Sequence, residues 1–208
     1  MENTAKSIIC QQLKQGLTVF AEVAANAALH ATLAEAAEIT ANAMKHGRKL
    51  MVAGNGGSAA DAQHLVAEFV SRLTKERPAL RAVALTTDTS ILTAIGNDYG
   101  FEHSFERQIE AVGWEGDVFI GISTSGNSAN ILRAFGTCRD MGIFTIGLTG
   151  QSGGKMAPFC DYLVRVPSSV TMYIQQVHLA LEHIFCLIVE RTYFGEKFAA
   201  AAIATTKL

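Results

Sequence analysis

The sequence predicts an α/β fold in which helices cover both faces of a parallel β-sheet. From about residue 48 onward, short apolar segments alternate with longer segments of helical periodicity, which is typical of βαβ units. The predicted strands are apolar throughout, as strands buried on both faces should be. Of the 208 residues, 49% are hydrophobic and only 17% are charged, so the chain can bury a large core. This composition argues against a disordered protein.

Two helices are expected before the first strand. Residues 3–47 carry alanine and leucine at helical spacing, and His30-Ala31-Thr32 is the expected break, with Thr32 as the N-cap of the second helix. Gly47 is a suitable end for that helix. Because both helices are too apolar to stand alone, we expect residues 1–47 to form an N-terminal extension that packs within an oligomer.

Five strands and their connecting helices follow, and residues 48–195 are expected to form one domain. The predicted strands are 49–53, 82–85, 118–122, 144–148 and 162–166. The predicted helical segments between them are 58–72, 89–111, 128–141 and 153–160. A long helix is expected over 169–194, and residues 196–208 form an alanine-rich tail.

Charge and cysteine content narrow the class of protein. The net charge of −2 provides no basic field for nucleic acid or an anionic membrane. The densest apolar run, Ile184 to Val189, is far shorter than a membrane span, and no signal peptide is expected. The four cysteines are scattered and form no disulfide framework, so we expect reduced thiols in a cytoplasmic protein.

A glycine-rich loop, residues 54–59, lies between the first predicted strand and its helix. Its glycines allow a ligand to approach the backbone, and the helix N-terminus offers N–H groups and partial positive charge. Gly54, Gly56 and Ala59 also satisfy the dinucleotide fingerprint. A Rossmann site, however, needs an acidic residue at the end of the second strand, where this chain has the turn 74–78. A nicotinamide cofactor is therefore disfavoured, and a tight turn without a ligand is the other alternative.

A second loop of small polar residues follows the third predicted strand. Its hydroxyls, those of Ser123, Thr124, Ser125 and Ser128, converge on a helix start, which suits a phosphate monoester. The alternative is that the serines only cap the helix, although one serine would suffice for that. Asn97-Asp98 forms a third polar turn that could reach the same sheet edge or be an ordinary Asx turn.

Two predicted helices carry acid–base or metal-binding side chains. His64 and Glu68 are four residues apart and lie on one helix face, as a surface ion pair or as part of a site. On the last helix, His178 and His183 face different ways, so one of them is expected to be a packing residue. Gln175 and His183 are roughly 12 Å apart along the helix, too far to hold one ion together. If both serve one kind of site, they serve different copies of it in an oligomer.

Several ordered motifs resemble those of the phosphoheptose isomerases, in the sugar-isomerase (SIS) superfamily. The similarity runs from about residue 5 to 195. The matching segments are 54–64 with Glu68, then 85–90, 94–100, 116–117, 121–130 and 148–150. The resemblance implies a single SIS domain: a five-stranded parallel sheet flanked by helices, in a flavodoxin-like three-layer sandwich. It also implies a homotetramer with active sites shared between subunits.

The resemblance also implies an activity and assigns site residues. The reaction converts D-sedoheptulose 7-phosphate to D-glycero-D-manno-heptose 7-phosphate through an enediol(ate), the first step of bacterial heptose nucleotide biosynthesis, which supplies lipopolysaccharide. Glu68 and His183 match the acid–base pair. Zinc, one ion per subunit, is expected on residues matching His64, Glu68, Gln175 and His183, with no nucleotide cofactor. The substrate contacts match Asn55, Gly56, Gly57, Glu68, Asn97, Asp98, Ser123, Thr124, Ser125, Ser128 and Gln175.

Two departures from the family pattern lie at the start of the last helix, where Gln176 replaces a glutamate and Tyr173 a basic residue. Two other functions stay open. One is a non-enzymatic SIS tetramer that binds the replication initiator DnaA; that branch lacks a histidine at the position of His183, which is present here. The other is a different phosphosugar isomerase or a phosphosugar sensor, which would share the phosphate loop.

Overall fold

A computed structural model describes residues 4–195, so the predicted tail, 196–208, lies outside the described residues. Its α-helices are α1 (Ala5–Ala24), α2 (Ala27–Lys45), α3 (Gly57–Val70), α4 (Thr89–Asp98), α5 (Glu106–Val112), α6 (Ala129–Asp140) and α7 (Thr171–Phe194). Two short 3₁₀ helices cover Phe101–His103 and Gly154–Phe159, and the second corresponds to the predicted helical segment 153–160. Its strands are β1 (Leu50–Gly54), β2 (Ala82–Ala84), β3 (Val118–Ile122), β4 (Phe144–Thr149) and β5 (Tyr162–Arg165).

The five strands form one parallel sheet in the order β2-β1-β3-β4-β5. This is the flavodoxin-like order, and it confirms the predicted fold class. Each strand begins and ends within one residue of its predicted bounds. β1 and β3 are paired along their full length, with Gly54 opposite Ile122, so their C-terminal ends are level.

Two hydrophobic clusters, one on each face of the sheet, make the three layers. One face packs against α2, α3 and α7 through side chains that include Leu33, Phe69 and Phe185. The other face packs against α5 and α6, through Phe119 and Phe135 among others. β1 and β3 contribute buried side chains to both clusters, which is why they read as continuous apolar runs.

Two predicted helix boundaries are wrong. The first two helices separate at residues 25–26, not at His30–Thr32, because the Asn26 side chain accepts a hydrogen bond from the Leu29 N–H at 3.0 Å and so caps α2. Thr32 lies inside α2, where its hydroxyl donates to the Ala28 carbonyl. The predicted helix 89–111 is divided into α4 and α5, with Gly100 at φ +100° in the connection.

α7 as a whole is apolar, and it is much longer than its densest apolar run, Ile184 to Val189. By length and composition it could cross a membrane, and α1 with α2 pass the same test only as a pair bent by 72°. Half (50%) of the most apolar segment of α7 is buried inside the protein. A helix of a protein core passes the same length and composition test. Glu182 and Glu190 are also buried along it. This burial supports the expectation that the chain does not enter a membrane.

Candidate active site

The two predicted ligand loops lie side by side at the switch point of the sheet. The chain leaves β1 toward β2 on one side and leaves β3 toward β4 on the other. In a doubly wound sheet, this arrangement opens a crevice at the carboxyl ends of the two central strands, where ligands bind. The glycine-rich loop follows β1 and the serine-rich loop follows β3, so both border this crevice.

The glycine-rich loop turns sharply into α3. Gly56 has φ +57° and is the N-cap of α3, which has no side-chain cap hydrogen bond. A Cβ at Gly57 would lie 2.5 Å from the amide nitrogen of Gln175. Glycine at position 57 therefore leaves room for the end of the Gln175 side chain against the start of α3. The N–H groups of Ser58 and Ala59 donate to the carbonyls of Asn55 and Gly56, so the turn is closed by its own backbone and its partial positive charge faces the crevice.

The serine-rich loop is held rigidly and leaves its helix start free. Ser128 is the N-cap of α6, yet its hydroxyl makes no cap and instead pairs with the Ser123 hydroxyl at 2.9 Å. The Gly126 carbonyl accepts from the Met156 N–H, and the Asn127 carboxamide oxygen accepts from the Lys155 N–H, each at 3.0 Å. The alternative that the serines only cap the helix does not fit this geometry.

His64, Glu68 and His183 converge where α3 packs against α7. The Nε2 atoms of the two histidines are 2.9 Å apart, and His64 Nε2 is 3.5 Å from Glu68 Oε1. One ligand atom from each residue lies within 4.8 Å of the others. His64 and Glu68 therefore lie on the same face of α3, as the sequence predicted. A proton donor, a proton acceptor and an exposed imidazole occupy one small volume.

This group fits a zinc ion in donor type and spacing. Imidazole and carboxylate are usual zinc ligands, and neighbouring donor atoms around a tetrahedral zinc are about 3.3 Å apart. The two distances of 2.9 and 3.5 Å bracket that value. The His64 side chain is 43% exposed, so an ion has a path to the group.

The structure does not bring every predicted site residue to the group formed by His64, Glu68 and His183. Gln175 lies against Gly57, which precedes His64 by about 10 Å along α3. The Asn97-Asp98 pair lies in the last turn of α4, not in the predicted turn after Gly96. Asn97 donates to Asp98 at 2.7 Å, and among residues 4–195 neither side chain hydrogen-bonds to either loop. The roles of these three residues stay predictions.

Buried ionisable groups lie behind the site. Burial lowers the pKa of His178 to about 4, and its Nε2 lies 3.3 Å from the Thr149 carbonyl. His178 is therefore a neutral packing residue, as expected for one of the two helix histidines. Burial, and secondly the charge of Asp61, raise the pKa of Glu182 to about 8. Burial also raises the pKa of Asp61, against the opposing effect of His64.

Two residues that the sequence analysis did not select hold the site together. Asn130 and Asn55 exchange two amide hydrogen bonds of 2.9 Å, which join the first turn of α6 to the glycine-rich loop. Asn130 is 3% exposed, so water does not compete for this pair. An asparagine so near a helix start looks like ordinary capping chemistry, and no periodicity distinguishes it.

Arg77 is the second such residue. It donates to the backbone carbonyls of Glu68 at 2.6 Å and Phe69 at 2.7 Å, and pairs with Glu190 of α7 at 2.7 Å. It thus fixes the last turns of α3, which carry Glu68, against α7. In the sequence it stands in the turn 74–78, where an arginine usually lies in solvent.

The order of the sheet and the loops at its switch point define a doubly wound α/β protein with a ligand crevice between its two central strands. The model of the SIS domain family matches residues 14–150, so the chain is an SIS-domain protein.

Full-length similarity defines its place in this superfamily. A phosphoheptose isomerase of Burkholderia pseudomallei is 51% identical over 197 residues, which cover 95% of this chain and 100% of that protein. One of Aneurinibacillus thermoaerophilus is 59% identical over 156 residues, which cover 75% of this chain and 79% of the relative. The solved phosphoheptose isomerase of Neisseria gonorrhoeae superposes with a TM-score of 0.85 at 41% identity, covering 90% of this chain and 99% of the other. The chain belongs to the phosphoheptose isomerase family.

Proposed function

We propose that this chain isomerises D-sedoheptulose 7-phosphate to D-glycero-D-manno-heptose 7-phosphate. The observation that carries the proposal is the His64, Glu68 and His183 group between α3 and α7, in a fold that also presents a serine-rich loop for a phosphate after β3. An aldose–ketose isomerase needs an acid–base group beside the reacting carbons and an anchor for the phosphate. The relatives named phosphoheptose isomerase support the choice of heptose.

The serine-rich loop binds the phosphate in this proposal. The hydroxyls of Ser123, Thr124, Ser125 and Ser128 and the free N–H groups of the first turn of α6 donate to the phosphate oxygens. The contacts of Gly126 and Asn127 with residues 155–156 keep the loop in place before substrate arrives. A fixed phosphate holds the carbonyl end of the sugar in one place for the acid–base pair.

Glu68 and His183 move the protons. Glu68 removes a proton from C1 of the ketose, the C1–C2 enediol(ate) forms, and a proton returned to C2 gives the aldose. His183 exchanges the proton between the two sugar oxygens, so atoms and charge balance over the cycle. An imidazole suits this role, because its two ring nitrogens can both accept and donate a proton.

Zinc is the proposed metal, one ion per subunit, held by His64, Glu68 and His183, with Gln175 of another copy in the oligomer as the predicted fourth ligand. When bound, it supplies a Lewis acid for the sugar oxygens. We expect His64→Gln to remove most bound zinc, because the site then loses one of its two imidazole ligands. Metal content after equilibrium dialysis measures this. His46→Gln, at an exposed histidine of another surface, is the control, and equal zinc in both variants would contradict the assignment.

We also propose that the chain assembles into a homotetramer. α1 leaves Ile9, Leu13 and Leu17 exposed by 59%, 65% and 66%, and an apolar groove of about 350 Å³ separates α1 and α2 from α7. Apolar surface of this extent supports an interface with other copies. Light scattering after size exclusion should give four chains, and Leu13→Glu with Leu17→Glu should give smaller species. Lys14→Glu, on the same helix, should leave the tetramer intact; a monomeric wild type would contradict the proposal.

Asn130 is proposed to position the two loops for the reaction. We expect Asn130→Ala to lower kcat/KM about 10–100-fold, because Asn55 loses both of its hydrogen bonds to Asn130 and the glycine-rich loop is no longer held in place. The thermal midpoint separates this effect from unfolding. Asn42→Ala, at an exposed position of α2, is the matched control. A kcat/KM within two-fold of the wild type would show that the amide pair is unimportant.

A substrate panel tests the activity against the alternatives. We expect kcat/KM for sedoheptulose 7-phosphate to exceed that for six-carbon and five-carbon ketose phosphates by at least ten-fold. A higher value for a shorter sugar would indicate a different phosphosugar isomerase. No turnover of any of them, together with binding to DnaA, would favour the non-enzymatic alternative. His183 and the intact Gly56-Gly57 pair favour the enzyme. The proposal includes a cytoplasmic location and a product that supplies bacterial surface heptose such as that of lipopolysaccharide.

A further inference from the structure

A pocket of about 340 Å³ lies at the opposite edge of the sheet, where the strands begin. The segments that lead into β1, β2 and β3 form it, and Arg48, Lys49, Arg81 and Trp114 are among its lining residues. The candidate active site lies at the other ends of β1 and β3, about 16 Å away along five-residue strands. The pocket is therefore separate from the site that binds the sugar.

The pocket carries uncompensated positive charge. Asp117 is the carboxylate that lines it, and it is already occupied: it accepts from the backbone N–H of Lys49 at 2.9 Å and of Trp114 at 2.8 Å, and it pairs with the Lys49 ammonium. Arg81 donates to the Gly47 carbonyl at 2.8 Å. Within the described range 4–195, neither Arg48 nor Arg81 has a carboxylate partner. Two guanidinium groups are thus free to bind an anion.

An exposed aromatic ring adjoins these cations. Trp114 is 68% exposed, although tryptophan is usually well buried. The Lys49 ammonium lies 5.7 Å from its ring centroid. Gly116, at φ +82°, turns the same loop so tightly that its Cβ position is 3.2 Å from Nε of Arg48. The loop therefore brings a flat apolar surface and a guanidinium into one pocket.

We propose that this pocket binds a nucleoside diphosphate, with the base stacked on Trp114 and the two phosphates bound by Arg48 and Arg81. Guanidinium groups bind phosphate with paired hydrogen bonds, and aromatic rings stack on any nucleobase. The volume lies within the range of about 300–1,000 Å³ common for small-molecule sites. A sugar phosphate without a base would leave the indole uncovered, and this distinguishes the ligand of the pocket from the substrate.

The intrinsic fluorescence of the protein tests the proposal directly, because Trp114 is the one tryptophan in the sequence. We expect ADP to change this fluorescence saturably when excitation is at the red edge of the indole band, where adenine does not absorb. Adenosine and pyrophosphate, which each supply half of the ligand, should bind at least about ten-fold more weakly. No saturable change with ADP overturns the proposal. Pyrophosphate binding as tight as ADP overturns the nucleotide assignment.

Variants locate the binding. Arg48→Gln and Arg81→Gln should each weaken ADP binding about ten-fold, because each removes a charge-assisted phosphate contact. Lys45→Gln, at an exposed cation near the pocket that does not line it, should leave binding unchanged. The isomerase activity of all three variants without ADP should equal that of the wild type, and their thermal midpoints report folding. Equal ADP affinity in both arginine variants and the wild type overturns the proposal.

Discussion

Glu68→Gln should lower kcat about 10²–10⁴-fold while leaving the fold intact. The amide keeps the size of the side chain but cannot accept a proton from C1 of the sugar, and general-base catalysis contributes a factor of this order. Glu68 Oε1 lies 3.5 Å from His64 Nε2 and its side chain is only 18% exposed, but an amide of the same shape fits the same space. The serine-rich loop is untouched, so inorganic phosphate should still compete for the site.

The control for this experiment is Glu76→Gln. Glu76 is 87% exposed and pairs with Arg72 at the surface. Its variant should retain full activity, and zinc content is measured in both variants so that loss of the base is distinguished from loss of the metal. A Glu68→Gln enzyme within ten-fold of the wild type, at equal zinc content, would refute the role of Glu68 as base.

Arg77→Met should lower the free energy of unfolding by about 3–5 kcal/mol. The side chains of Arg77 and Glu190 are 1% and 0% exposed, and removal of the arginine leaves a buried carboxylate without its counter-charge. The backbone carbonyls of Glu68 and Phe69 lose their donor at the same time. Denaturant unfolding of wild type and variant at one protein concentration measures the difference.

Two further variants test whether the buried, uncompensated charge causes the loss of stability. Arg77→Met with Glu190→Met should regain much of the stability, because no uncompensated charge stays buried. Arg72→Met breaks an exposed ion pair and should cost at most about 1 kcal/mol. An Arg77→Met variant no less stable than Arg72→Met would contradict the account of a buried clamp.

Local patterns predicted the sheet and both loops, because these features are properties of adjacent residues. Strands buried on both faces are apolar runs wherever they stand, and a glycine or serine loop before a helix is visible in the sequence. The break between α1 and α2 was misplaced because several polar residues near position 30 are suitable caps. The cap that forms is the hydrogen bond to the Asn26 side chain.

The pairings across the fold were not predictable in this way. The Asn55–Asn130 pair spans 75 positions and the Arg77–Glu190 pair spans 113. Such contacts depend on how α3, α6 and α7 pack, which periodicity does not specify. The grouping of His183 with His64 and Glu68 came from the family resemblance, and the packing of α3 on α7 supplies its physical basis.

Proton NMR of sedoheptulose 7-phosphate in D₂O with the purified, zinc-loaded protein tests the central claim most directly. The account predicts that an aldoheptose 7-phosphate appears with deuterium at C2, and that Glu68→Gln and His183→Ala, folded and still binding phosphate, produce almost none. No aldoheptose from the folded wild-type protein, with or without zinc, would contradict the claim that this crevice is the active site of a heptose phosphate isomerase.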